Sequence, residues 1–314
     1  MTGLELARGY WEQFGVVMMR EQFPEYEEIA AAALTGSGSE CYGFDDEVSR
    51  DHDFEPGFCL FIPGEEIVDR RTAFLMERAY AKLPAEYEGF RRQKMNPVGG
   101  QRHGVFRLDE YFRDKIGCTP EQMGMEQWLR LPEHVLAEAV NGEVFRDPAG
   151  LLTDCREALQ RMPEDARRKR LAGSLLLMAQ SGQYNYLRCL KHGETGAAQL
   201  AVGEYVKNAL SVYFLLNRTY MPYYKWSFRA LKKLPGGTRT AESLEWLLTT
   251  GNEKDTAEEK YFRMEGIAAE VISLLQEQEL TRADCGDLEK HAYSVNDGIR
   301  DSQTRNLSIF WCVG

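Results

Sequence analysis

Two aspartates one residue apart, Asp51 and Asp53, and two serines with the same spacing in a glycine turn, Ser37 and Ser39, are the residues best suited to chemistry. They stand in the stretch TGSGSE-CYGFDDEVSR-DHDF. In a strand, residues i and i+2 face the same way. Asp51 and Asp53 would then point together, and His52 would point to the other face. Two carboxylates so placed repel unless a cation lies between them, and hard oxygen ligands suit Mg²⁺, or Mn²⁺ in its place. Mg²⁺ is commonly held by one or two carboxylates plus substrate phosphates. The Gly36-Ser37-Gly38-Ser39 turn offers what the phosphates need: backbone N–H groups that a ligand can approach closely, and hydroxyl donors. Together these residues make a metal–nucleotide site.

The neighbouring elements are those needed to hold such a site. An apolar run, Ile29 to Leu34, reads as a strand or helix end leading into the turn. A connecting loop follows, and Asp51-His52-Asp53 reads as an acidic strand. The apolar run Phe58-Cys59-Leu60-Phe61-Ile62 comes next, closed by Pro63-Gly64. Upstream, Leu4, Leu6, Tyr10, Trp11, Phe14, Val17 and Met18 fall on a helical stripe that Pro24 ends. This helix is expected to pack on a small sheet. Residues 65 to 82 read as a helix stopped by Pro84, and residues 103 to 108 as another strand, with Asp109 and Glu110 directly after it. Arg91, Arg92 and Lys94 form a basic cluster in an irregular stretch. It is either a solvated loop or a loop near an acceptor or triphosphate.

Around residue 120 the character changes. Beyond it the pattern is helical, with no convincing strand, and Asn141-Gly142-Glu143-Val144-Phe145 merely interrupts it. Pro163 starts a helix, Ala197 to Leu216 is strongly apolar on one side, and Thr256-x-x-Glu259 resembles a capping box. The run Arg167-Arg168-Lys169-Arg170 reads as an exposed helix face. Two domains are expected, residues 1–120 and 121–314.

The Gly/Ser turn followed by an Asp-x-Asp strand resembles the nucleotidyltransferase-fold superfamily, which includes DNA polymerase beta, the aminoglycoside nucleotidyltransferases and the poly(A) polymerases. GSGSE through DDEVSRDHDF is similar to an uncharacterised bacterial branch of it, with weaker likeness through GEVFRD, GQYNYLR and LLNRTYMPYYKW. The resemblance implies an α+β fold, a small mixed-sheet domain followed by an all-helical C-terminal domain. It implies that Asp51 and Asp53 hold the metals while Gly36, Ser37, Gly38 and Ser39 hold the phosphates. A third carboxylate is expected on a later strand. Asp109 or Glu110 are the candidates, although position 106, where an acid would fit, is Phe. By the same resemblance Glu143, read as a loop acid, is a candidate base. The aromatic-basic cluster Tyr223-Tyr224-Lys225-Trp226 makes Lys225 a candidate triphosphate contact.

The implied reaction moves a nucleoside monophosphate from an NTP, ATP by default, to a hydroxyl of an acceptor. The alternative is a nucleotide-binding or regulatory module that kept the fold and lost turnover. The chain carries 38 Lys and Arg against 49 Asp and Glu, a formal charge of −11. That argues against broad DNA binding and favours a small acceptor over tRNA or protein. Seven scattered cysteines with no CxxC pair read as reduced thiols of a cytoplasmic protein. No segment has the length or apolarity of a membrane span.

Overall fold

The computed structural model describes residues 1–48, 54–92 and 102–312. In chain order its elements begin with helices α1 (Gly3–Tyr10) and α2 (Val16–Gln22), then strands β1 (Ala31–Leu34) and β2 (Cys59–Ile62). Helix α3 (Arg70–Ala81), the short pair β3 (Glu86–Tyr87) and β4 (Phe90–Arg91), β5 (Gly104–Arg107) and α4 (Leu108–Ile116) follow. Then come α5 (Met125–Arg130), α6 (Glu133–Val140), β6 (Glu143–Arg146) and α7 (Leu151–Gln160). The remainder is helical: α8 (Glu164–Met178), α9 (Tyr186–Lys191), α10 (Thr195–Leu216), α11 (Tyr224–Leu231) and α12 (Gly237–Thr249). Helices α13 (Lys254–Glu277), α14 (Leu288–Asp297) and α15 (Ser302–Asn306) complete it. The fold is α+β, with a small mixed sheet and a helical C-terminal region.

The chain gathers into two units. One is Met1–Met123 with Val135–Arg161, and the other is Gly124–His134 with Met162–Gly314. The first unit holds a four-stranded sheet in the order β5-β2-β1-β6. β1 runs antiparallel to both β2 and β6, and β5 runs parallel to β2. The two central strands, Ala-Ala-Ala-Leu and Cys-Leu-Phe-Ile, are buried along their whole length. Alternation divides them between two faces. Phe58, Leu60 and Ile62 join Ala32, Tyr10, Trp11, Met76 and Tyr80 in one core. Phe61 turns the other way, its ring 5.0 Å from that of Tyr111. The Tyr80 hydroxyl pins the start of β2 by accepting from the Phe58 N–H (3.0 Å) and donating to its carbonyl (2.8 Å). The N-terminal helix is capped by Thr2 and Glu5, and a π-helical turn, Trp11–Gly15, joins α1 to α2.

Strand β6 corrects the expectation of a purely helical chain after residue 120. Glu-Val-Phe-Arg is only four residues long and has no free apolar alternation. It becomes a strand because Leu34, Ala33 and Ala32 offer it backbone partners. Thr256 and Glu259 do not form a capping box, since α13 begins earlier, with Glu253 at the capping position.

The second unit is organised around α8, which packs against α10 and α14. Here the expected exposed basic face is overturned. Arg167, Lys169 and Arg170 are buried. The helix is surrounded on most of its circumference, so its cations meet carbonyl groups rather than water. Arg170 donates to the carbonyls of Trp128 and Leu131 and so ties α5 to this unit. Lys169 gives its three protons to Asn296 Oδ1 (2.8 Å), the Arg305 carbonyl (3.1 Å) and the Leu307 carbonyl (2.7 Å). Lys260 is likewise fully buried, on Gln199, Thr250 and Asn252. Among the described residues no helix is long and apolar enough to cross a membrane.

Candidate functional site

The Gly/Ser turn leaves the sheet directly from the end of β1. Gly36 has φ 135°, a conformation that glycine alone adopts without strain. Nothing lies within 4 Å of where its Cβ would be, so the backbone is open there. Ser37 is exposed, while Gly38 and Ser39 are buried. The carbonyls of Gly38 and Ser39 accept from Cys41, Tyr42 and Phe44, curling the chain into a short 3-10 turn, Glu40–Tyr42. Among the described residues no hydrogen bond engages the hydroxyl or the N–H of Ser37 or Ser39, while the Gly38 N–H is directed at the Cys41 sulfur. A set of donors without partners on an ordered turn is an anion-binding arrangement. Glu40 folds its carboxylate against Gly38, where any side chain would collide with it.

The turn is braced from the far end of α6. The Asn141 side-chain amide pairs with both polar groups of Gly36. Its Oδ1 accepts from the Gly36 N–H at 3.0 Å, and its Nδ2 donates to the Gly36 carbonyl at 2.7 Å. The Thr35 hydroxyl lies 2.8 Å from the Glu138 carbonyl and 3.1 Å from Asn141 Oδ1. The Gly142 N–H donates to the Cys41 carbonyl at 2.8 Å, and a Cβ at Gly142 would overlap the Leu34 carbonyl. Arg156, itself buried, donates to the carbonyls of Val140 and Asn141. Sequence reading passed over Asn141-Gly142 as a break between helices.

The other expected site residues are distributed unevenly. Asp51 and Asp53 lie outside the described residues, as do His52 and Lys94. Glu143 is on β6, opposite Leu34, and so stands at the same end of the sheet as the turn. It is a strand residue rather than a loop acid, and Arg8 of α1 holds its carboxylate in an ion pair. Asp109 and Glu110 are placed elsewhere. Because β1 and β2 are antiparallel, the turn sits where β2 begins, and β5, parallel to β2, begins there too. Asp109 and Glu110 follow the far end of β5, about 13 Å along four strand residues. They form the first turn of α4, where Asp109 pairs with Arg113 at 2.5 Å. Glu110 lines a hollow of about 430 Å³ with Arg107, Tyr111 and Lys115. The expected third acid is thus not brought to the turn by either residue. Lys225 belongs to the helical unit, exposed, with its Nζ 4.9 Å from the Trp226 ring centroid.

What stands at the near end of β5 is His103, its Nδ1 3.5 Å from Glu55 Oε1. Sequence reading missed this pair. Its signal was faint: Glu55 continues the i, i+2 spacing of Asp51 and Asp53, and His103 opens a strand. The buried thiols of Cys41 and Cys59 are poor nucleophiles. Burial pushes the Cys41 thiol well up, with Glu40 and Cys59 adding to it, and burial pushes Cys59 up to about 12. Among the described residues no group of three or more His, Cys, Asp and Glu side chains is arranged to hold a metal ion.

Residues 128–227 match a family described as a domain of unknown function, DUF4037. That stretch includes Asn141, Glu143, Arg156, Arg170 and Lys225. No curated protein matches the chain. The crystal structure of a nucleotidyltransferase-like protein from Exiguobacterium sibiricum 255-15 aligns with 14% identity over 90% of this chain and 80% of that one, at a TM-score of 0.36.

Proposed function

We propose that this chain is a Mg²⁺-dependent nucleotidyltransferase that moves a nucleoside monophosphate, AMP by default, from an NTP to a hydroxyl of a small acceptor. The observation that carries this reading is the turn itself. The hydroxyls and N–H groups of Ser37 and Ser39 have no partners among the described residues, yet the turn's backbone is held by Asn141 and Gly142. Such donors suit the β- and γ-phosphates. Two carboxylates, Asp51 and Asp53, fit a hard cation by donor chemistry. The bound Mg²⁺ or Mn²⁺ would lower the pKa of the acceptor hydroxyl and stabilise the leaving pyrophosphate. In the reaction the acceptor oxygen bonds to the α-phosphorus, the bond to pyrophosphate breaks with pyrophosphate leaving, and the hydroxyl proton passes to solvent.

One observation favours a second reading, a nucleotide-binding module without turnover. Phe106 lies mid-way along β5, and the acids that follow it start α4 at the sheet's other end. Calorimetric titration with ATP tests the first step of both readings. Affinity should collapse in EDTA, because the acids and the triphosphate repel without a cation. Ser37→Ala and Ser39→Ala should each weaken Mg–ATP binding by about 1.5–3 kcal/mol, the range for hydrogen bonds to charged groups. Equal affinity with and without metal, or no effect of the serine changes, would remove the turn as a phosphate site. Labelled-NTP transfer to a panel of hydroxylated acceptors then separates enzyme from binder.

A further inference from the structure

We infer that Asn141 is the positioning residue of the Gly/Ser turn: its side-chain amide extends the β1–β6 pairing by one step and fixes Gly36, so that the donors after Gly36 point at a phosphate. The inference rests on the phosphate-site reading above for its consequence, but on geometry alone for its structural part.

Regular pairing between β1 and β6 ends at Leu34 opposite Glu143. The next residue of β1's strand, Thr35, has turned its hydroxyl toward Glu138 and Asn141. At Gly36 the chain adopts φ 135° and cannot pair with a backbone neighbour in the ordinary way. Asn141 supplies both halves of the missing pair from one planar amide, an acceptor for the N–H and a donor for the carbonyl. Its own backbone is not free to drift. Arg156 holds the carbonyls of Val140 and Asn141, and the Gly142 N–H holds the Cys41 carbonyl on the other side of the turn. Gly142 has φ 70° and sits against the Leu34 carbonyl, with no room there for a side chain. The loop that reaches the turn therefore carries one residue whose shape allows the approach and one whose amide makes the bond.

The arrangement has a functional consequence. Ser37 and Ser39 make no hydrogen bonds through their donor groups among the described residues, so nothing within those groups fixes their direction. Their orientation is inherited from Gly36 at one end and from the Glu40–Tyr42 turn at the other. Donors already oriented bind a phosphate without the ordering cost that a loose loop carries. Without the Asn141 amide, Gly36 loses both partners and the donors lose one of their two anchors.

The test compares wild type, Asn141→Ala and Thr35→Val as full chains. Amide hydrogen exchange across residues 34–40 reports the turn, and calorimetry with Mg²⁺ plus ATP, and with Mg²⁺ plus tripolyphosphate, reports the site. Asn141→Ala should raise exchange at Gly36 and its neighbours by about tenfold or more while β2 keeps its protection. It should also weaken ATP and tripolyphosphate by the same factor, about tenfold, because the loss lies at the phosphates. Thr35→Val, which removes the hydroxyl's contacts with Glu138 and Asn141 and leaves the amide pair, should do the same more weakly, and it carries the test should Asn141→Ala not fold. Unchanged exchange in residues 34–40 in both variants would overturn the positioning role. A general loss of affinity without a matching change in exchange would overturn it too. If wild type binds neither ligand, the phosphate reading fails while the exchange result still judges the amide pair.

Discussion

The buried lysines of one unit and the Gly/Ser turn of the other treat their polar groups in opposite ways. In the helical unit, Lys169 and Lys260 are fully buried, and each gives every ammonium proton to a neutral oxygen. In the sheet unit, the Gly/Ser turn keeps the hydroxyls and N–H groups of Ser37 and Ser39 without partners among the described residues. A buried charge is tolerated only when its hydrogen bonds are complete. The lysines therefore act as fasteners: Lys169 ties α8 to α14 and to the end of α15, and Lys260 ties α13 to the loop around Asn252. A braced turn with open donors is instead suited to a partner from outside. Satisfied polar groups mark what holds the fold, and unsatisfied ones on a rigid support mark what the fold is for.

The sharpest way to break this contrast is to change the acids proposed to act with the turn. Asp51→Asn and Asp53→Asn should each abolish Mg²⁺-dependent nucleotide transfer, a loss of at least about a thousandfold if a metal stabilises the transition-state charge by several kcal/mol. Thermal melting should stay within a few degrees of wild type. Wild-type transfer in either variant would remove the metal role of these residues. A large drop in melting temperature would move them to the structural side of the comparison.

The second change reverses that pattern. Lys169→Ala should cost about 2–4 kcal/mol of stability, because Asn296 and two main-chain carbonyls lose a donor inside the unit and a buried stem leaves a gap. Urea unfolding measures this. Mg–ATP affinity of the folded protein should not change. If stability is unaffected, the ammonium is not a fastener, and the contrast between the units fails on the helical side.

Sequence reading found the elements whose signals are local. The apolar runs became β1 and β2, the Pro-bounded stripes became helices, and His103 to Leu108 contained β5. It failed where structure is set by distant partners. The Asn141–Gly36 pair spans 105 residues, and no local pattern predicts it. Arg167, Lys169 and Arg170 look solvated until Leu215 receives the first, Arg305 the second, and Trp128 and Leu131 the third through their carbonyls. Strand β6 is visible only as a partner of β1. The placement of Asp109 and Glu110 depended on strand direction. Had β5 run antiparallel to β2, its end would have met the turn; running parallel, it carries those acids away.

The smallest expected effect concerns Glu133, the buried carboxylate of the helical unit. It accepts from the Ser211 hydroxyl and, at 3.2 Å, from the Met221 N–H. Burial raises its pKa above the ordinary glutamate range, while Arg170, Ser211 and Met221 pull the other way without cancelling it. An acid with a raised folded pKa binds more protons in the folded state than in the unfolded one. Stability must then fall as pH rises from the ordinary glutamate range through the raised value, and level off above it. Glu133→Gln removes the titration; with its oxygen kept on the Met221 N–H, its amide NH2 donates to the Ser211 hydroxyl oxygen. Urea unfolding at pH values from about 4 to 8 should show wild type losing stability relative to the variant over that window, with a slope of at most about 1.4 kcal/mol per pH step of one. A difference that does not vary with pH would mean that the partners compensate fully for burial, and that this carboxylate is as well satisfied as the two lysines.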